Sequence, residues 1–384
     1  MTAKEKEGLI KNLLANRIAI ADFHLLRKEI NEFDLSLIIQ KIYDLNDEQV
    51  RKIAALAPVM AKVDALKNAQ RNKKFFAKIK NGFRADFANK IILVEGDSWF
   101  NYPILLSDVI DWVSMEKNMA VYSLASGGDW LLNMLSARKY IEQLSTMNPD
   151  VFIISGGGND LVGENRIAAM VNPLGKSEEF MESAWARELM RISRTDFDPD
   201  RFNNGLAYLS KDFFALLMFF QLQYYYIFNG IFTGGTRDPK NGKFPGIKVI
   251  TQGYDYPQPS RKLGFGPNPL KWYIPLVRKF LGHGSWLKTP LEMRGITNEQ
   301  AQRDVLYAMI FLFNEMMIEV GELFREIAGY DCVFHIDSRG AVGDKGWTDE
   351  LHPLPENFKK TGASFIQCIN GVPSPNGLVY RVKP

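Results

Sequence analysis

The chain has 384 residues, a formal net charge of +3 and 46% hydrophobic residues. That is enough apolar material for one large domain plus a small one, and too little charge of one sign to draw the molecule to nucleic acid. The only two cysteines, Cys332 and Cys368, exclude a disulfide framework and offer no metal-binding spacing. The opening residues, Met1-Thr2-Ala3-Lys4-Glu5-Lys6-Glu7, are charged and lack the apolar stretch of a secretory signal. A cytoplasmic location is expected, with export by a specialised secretion system left open.

Up to about residue 89, apolar residues recur at helical spacing: Leu9, Leu13 and Leu14, then Phe23, Leu26 and Ile30, then Leu35, Ile38, Ile39 and Ile42. Asn46 and Gln49 resemble a capping box that opens a further helix through Val50, Ile53 and Leu56. Residues 1–89 therefore read as a small all-helical region and a candidate docking module for a protein partner. A chain beginning near Ala88 is expected to fold without it. The end of this region is basic, with Lys62, Lys67, Arg71, Lys73, Lys74, Lys78, Lys80 and Arg84 among Phe75, Phe76, Phe83 and Phe87. A helix on nucleic acid or a membrane surface carries such a pattern. A solvated face with its aromatics turned to the core carries it equally and is the preferred reading. Nucleic acid is disfavoured as a partner; contact with a membrane surface stays open.

From Lys90 the pattern changes to short apolar runs alternating with helical stretches. The runs are Ile91–Val94, Ala120–Leu124, Val151–Ile154, Ile247–Thr251 and Val333–Ile336. Strands separated by helices imply an α/β fold, here with a five-stranded parallel sheet over residues 90–384. Two connections are long enough to be insertions, about 161–246 and 257–296. The first contains a run from Phe213 to Phe228 that is nearly long enough to span a bilayer. Gln221, Gln223 and the flanking strands favour a helix packed on the sheet instead, with no transmembrane span. Its scarcity of polar residues leaves part of one face for the mouth of a site, where Phe220 and Tyr224 are candidate pocket residues.

The first strand stops abruptly at Gly96-Asp97-Ser98. Parallel sheets place their working residues at carboxyl ends of strands, so Ser98 is a candidate nucleophile. His352 is the candidate base, and Asp349 precedes it by three residues, which on a helical turn puts both on one face. Asp337, after another strand, competes for the role of orienting the imidazole. The backbone N–H groups of Ser98 and Gly128 (or Gly127), with the Asn159 amide, are candidate oxyanion donors.

These residues resemble the SGNH hydrolases, also called the GDSL esterase/lipase superfamily. The matching blocks are Gly96-Asp97-Ser98, then Gly128 in Ser126-Gly127-Gly128-Asp129, then Gly157-Gly158-Asn159-Asp160, then Asp349-Glu350-Leu351-His352, in the family's order. The match covers roughly Lys90 to Gly371. It implies a flavodoxin-like three-layer α/β/α sandwich, a Ser98/Asp349/His352 triad, and no metal or organic cofactor. Trp99-Phe100-Asn101-Tyr102-Pro103 and His335-Ile336-Asp337-Ser338-Arg339-Gly340 resemble, more loosely, a bacterial subgroup of unassigned substrate. There is no G-x-G-x-x-G after a strand, no Walker loop, no H-E-x-x-H and no G-x-S-x-G elbow. The expected function is a serine esterase or lipase acting on a small-molecule or lipid carboxylic ester. A carbohydrate O-deacetylase is the alternative within that chemistry. A catalytically inactive scaffold that docks through its N-terminal helices is the alternative outside it.

Overall fold

The computed structural model describes residues 1–14, 22, 25, 59–102, 107–172, 197–232, 244, 246–260 and 286–384. Helix α1 spans Ala3–Leu14 and α2 spans Val59–Lys80. The expected helices between them, with the Asn46/Gln49 capping box, lie outside the described residues. Strand β1 (Lys90–Gly96) leads through α3 (Val109–Ser114) to β2 (Met119–Ser123). Helices α4 (Leu131–Ala137) and α5 (Lys139–Met147) lead to β3 (Val151–Ser155). Then come α6 (Gly158–Val162), α7 (Pro199–Leu206), α8 (Lys211–Phe232) and β4 (Lys248–Gln252). The chain ends through α9 (Lys288–Met293), α10 (Glu299–Ala328), β5 (Val333–Asp337), α11 (Pro355–Ile369) and β6 (Val379–Arg381).

All six strands are parallel, in the order β2-β1-β3-β4-β5-β6. The sheet thus has one strand more than expected: Val379–Arg381 adds three residues beside β5. A run that short, after a Gly- and Pro-rich stretch, carries no periodicity to read. The near-continuous apolar character of β1 and β3 follows from burial on both faces. Ile92 and Leu93 in β1 and Phe152, Ile153 and Ile154 in β3 are completely buried.

The crossovers from β1 to β2 and from β2 to β3 step in opposite directions. With right-handed connections, α3 therefore lies on one face and α4 and α5 on the other. Helix α11 packs on α3, while α8 packs on α10 and α4. The direction of winding reverses between β1 and β3, and a crevice opens there at the carboxyl ends of the strands.

Helix α2 lies within the region expected to end at residue 89. It packs on β2, the edge strand. Asn72 donates from Nδ2 to the Ser123 carbonyl and accepts the Ser123 N–H on Oδ1, as a neighbouring strand would. Lys78 covers the carbonyl of Met119, at the other end of β2. An otherwise open edge is capped in this way. Nor is the basic face simply solvated: Lys67 and Arg71 are buried and paired with Asp108 and Asp111. Phe75 enters the core, while Phe76 and Phe87 are exposed. Among the described residues, no helix is long and apolar enough to cross a membrane.

Candidate active site

Ser98 stands just past β1 on a tight turn. Asp97 shapes that turn, accepting the Trp99 N–H on Oδ1 and the Phe100 and Asn101 N–H groups on its carbonyl. Gly96 permits the bend because a Cβ there would fall 2.5 Å from the Phe100 ring and 2.9 Å from the Ser155 carbonyl oxygen. Ser98 Oγ lies 2.7 Å from His352 Nε2. His352 Nδ1 lies 2.9 Å from both Asp349 oxygens. The three expected residues are therefore brought together across 254 positions of sequence.

The Asp349–His352 spacing works without a helix. Asp349 Oδ1 accepts the N–H groups of Leu351 and His352, each at 2.8 Å, and the Thr348 N–H closes the turn on the His352 carbonyl. A side-chain-capped turn of this kind aims the carboxylate at the ring of its own loop. With Nδ1–H donated to Asp349, Nε2 is left to accept the Ser98 hydroxyl proton. Burial pushes the Asp349 carboxyl up, but His352, the Leu351 N–H and the Tyr102 hydroxyl outweigh it and hold the group below its ordinary value. Asp337, the competing orienter, is instead clamped by Arg339, which also pairs with Glu315.

Asn159 sits across the crevice at the start of α6, and its Nδ2 donates to the Asp129 carbonyl at 3.0 Å. That uses one of its two amide hydrogens. Gly157 precedes it with φ 106°, a backbone conformation suited to glycine. Ser98, Asn159 and His352 all line one cleft that opens to solvent. Trp99, Leu161, Val162, Pro257, Ile310, Phe313 and Leu351 form its apolar wall. Gly128 has a left-handed φ of 79° in the loop after β2, and it is not among the residues lining the cleft.

Helix α8 does not supply that wall. Phe220 and Tyr224 are buried behind the loop after β3, where the Tyr224 hydroxyl donates to the Gly156 carbonyl and accepts the Gly156 N–H. Ile310 and Phe313 of α10 occupy the place expected for them. The unused apolar face of α8 is exposed at Met218, Phe219, Leu222 and Tyr226.

Two tyrosines join the site: Tyr102, which the sequence offers only as part of the Trp99–Pro103 block with no role of its own, and Tyr254, which no motif marks. Tyr102 donates to Asp349 Oδ2 at 2.8 Å. Tyr254, just past β4, donates to Asp97 and accepts the Gly158 N–H at 3.0 Å, joining the loops that carry Ser98 and Asn159. Its position at the carboxyl end of a parallel strand was a usable signal. Burial pushes the Asp97 carboxyl up to about 6, against the pull of Tyr254 and the Trp99 N–H. Among the described residues, no three metal-ligating side chains converge.

No family model and no curated protein matches this chain. Solved structures do. An extracellular lipase from Streptomyces rimosus is 10% identical with TM-score 0.34, covering 74% of this chain and 100% of that one. An acetyl xylan esterase from Geobacillus stearothermophilus is 11% identical with TM-score 0.31, covering 74% and 97%. An alpha/beta hydrolase enzyme from the metagenome of Lake Arreo, Spain, is 11% identical with TM-score 0.31, covering 73% and 95%. Overlap this partial leaves the chemistry to be argued from the geometry.

Proposed function

We propose that this protein is a serine-dependent hydrolase of carboxylic esters that works through an acyl-enzyme. The observation that carries the reading is the unbroken chain from Ser98 Oγ through the His352 ring to Asp349, at the mouth of an apolar cleft. His352 Nε2 takes the Ser98 hydroxyl proton as Oγ attacks the ester carbonyl carbon. The carbonyl oxygen becomes an oxyanion, for which the Asn159 amide and the Ser98 backbone N–H, both on residues of the cleft, are the candidate donors. His352 then gives its proton to the departing alcohol. In the second half a water loses a proton to His352 and attacks the acyl carbon; the proton returns to Ser98 as the acid leaves.

The cleft wall argues for an apolar acyl group, and an inactive scaffold would have no reason to keep this geometry. The test combines labelling by a fluorophosphonate with hydrolysis of a series of esters from acetyl to palmitoyl. Labelling and hydrolysis are expected in the wild type and absent in Ser98→Ala. The specificity constant is expected to rise with acyl length, by roughly 0.8 kcal/mol per buried methylene until the cleft is filled. Ile310→Trp should move the optimum to shorter chains. A steady fall from acetyl upward would favour a carbohydrate O-deacetylase over a lipase; hydrolysis that survives Ser98→Ala would end the mechanism.

A further inference from the structure

Tyr102 follows the nucleophile by four residues and is 1% exposed. Its ring lies against the His352 imidazole, with centroids 4.2 Å apart and planes at 37°. Its hydroxyl donates to Asp349 Oδ2 at 2.8 Å, so the same carboxylate oxygen is reached by the phenol and by His352 Nδ1. The backbone of Tyr102 is gripped from outside the sheet. Its N–H donates to Asp108 Oδ2 at 3.0 Å, and its carbonyl accepts from Lys67 Nζ at 2.8 Å. Two residues earlier, the Phe100 carbonyl accepts from Arg71 Nη1 at 2.6 Å. Lys67 and Arg71 both belong to α2, and their side chains are 3% and 4% exposed. Asp108 and Asp111 of the α3 N-terminus neutralise them.

We propose that Tyr102 is a positioning residue for the carboxylate of the triad, and that α2 is the element that holds Tyr102 in place. The inference rests on the hydrolase reading above. The phenol limits rotation of the Asp349 carboxylate, and the ring keeps the imidazole from tilting away from Ser98. A buried ion cluster suits this task, because moving any member strands a charge in a poorly solvated place. The segment ahead of the sheet is then part of the catalytic apparatus rather than an appendage. The charged groups that face His352 are Asp349 on its own loop and Asp97 on the turn after β1. Lys67, Arg71, Asp108 and Asp111 stand behind Tyr102 and compensate one another.

Tyr102→Phe keeps the ring and removes only the hydroxyl. In the full chain, kcat is expected to fall about tenfold, the scale of one hydrogen bond to a charged group. KM should stay within about twofold, since no ground-state contact to substrate is lost. The acid limb of kcat/KM should move to higher pH, because a carboxylate with one donor fewer holds the imidazolium more tightly. A purely structural role would not move that limb. Lys67→Met should also lower kcat, and its effect should not multiply with that of Tyr102→Phe, since both act through one residue. Unchanged kcat and pH profile in Tyr102→Phe would overturn the role of the phenol. Unchanged kcat in Lys67→Met, or multiplied effects in the double variant, would overturn the role of α2. Ser98→Ala keeps the two readings apart: if wild-type hydrolysis does not depend on Ser98, the hydrolase reading fails and this inference with it. Ser98-dependent hydrolysis with an indifferent Tyr102→Phe removes this inference alone.

Discussion

At the scale of single residues, the site is a set of side chains each fixed by its own short loop. Asp349 is aimed by the N–H groups of Leu351 and His352, so its direction is set before the imidazole is considered. Asn159 is aimed by the Asp129 carbonyl. Asn159→Ala should therefore cost roughly 10²–10³ in kcat with little change in stability, the usual scale for one oxyanion donor. Asp349→Ala should be less severe than His352→Ala, because the carboxylate positions the base while the imidazole moves the proton. Steady-state kinetics on one soluble ester checks both; an Asn159→Ala enzyme with wild-type kcat would remove that side chain from the oxyanion hole. Ser98, Asn159, Asp349 and His352 each stand at an abrupt end of an apolar run or in a distinctive short block, which is why the sequence marks them as candidates. The sequence gives Tyr102 a place in a block but no role, and Tyr254 neither, since a tyrosine in a loop has no local signature of what its hydroxyl will meet.

At the scale of elements, α2 shows how far a helix can be misjudged from its own residues. Its lysines and arginines looked like a wet face. Two of them are instead buried partners of Asp108 and Asp111, and Asn72 stands in for a missing strand beside Ser123. Removing α2 would uncover the β2 edge, strip Phe75 from the core and leave Asp108, which is fully buried, without its cations. Breaking a buried pair from one side costs about 3–5 kcal/mol. A chain beginning at Ala88 is thus expected to be insoluble or to lack a cooperative thermal transition, contrary to the expectation from sequence. Expression of that chain with circular dichroism melting is the check; a soluble, cooperative and active product would show that α2 is dispensable. The apolar run of α8 was read correctly as a helix, but its pocket role passed to Ile310 and Phe313 of α10, a helix that sequence reading had not singled out.

At the scale of the whole molecule, several carboxyls are buried beyond the reach of water. Burial, then the nearby Asp129, pushes Glu95 at the end of β1 from the ordinary 4.5 up to about 8. Burial likewise raises Asp255 to about 7 and Asp97 to about 6. Each folded pKa lies above the unfolded one, so the unfolded chain releases its protons first. Stability is then greatest at low pH for these groups and falls as pH rises from about 5 through about 8. Glu95→Gln, neutral at every pH, should flatten that fall and raise stability at about pH 8 by on the order of a few kcal/mol. Thermal melts of both proteins between about pH 5 and about pH 8 test this; parallel curves would assign the slope to other groups.

By itself the sequence determined the α/β alternation and the parallel sheet, and it marked Ser98, His352 and Asn159 as candidates for nucleophile, base and oxyanion amide. These depend on local patterns: apolar runs buried on both faces, and tight turns at their carboxyl ends. Only the tertiary structure decided which aspartate orients His352, because Asp349 and Asp337 both follow plausible geometry until Arg339 is seen to claim the second. The sixth strand, the helix that lines the cleft and the place of α2 were decided at the same level. The physical reason is common to all three. A strand of three residues, a cleft wall and a charge turned inward each exist only through partners far away in the chain, and no periodicity along it records them.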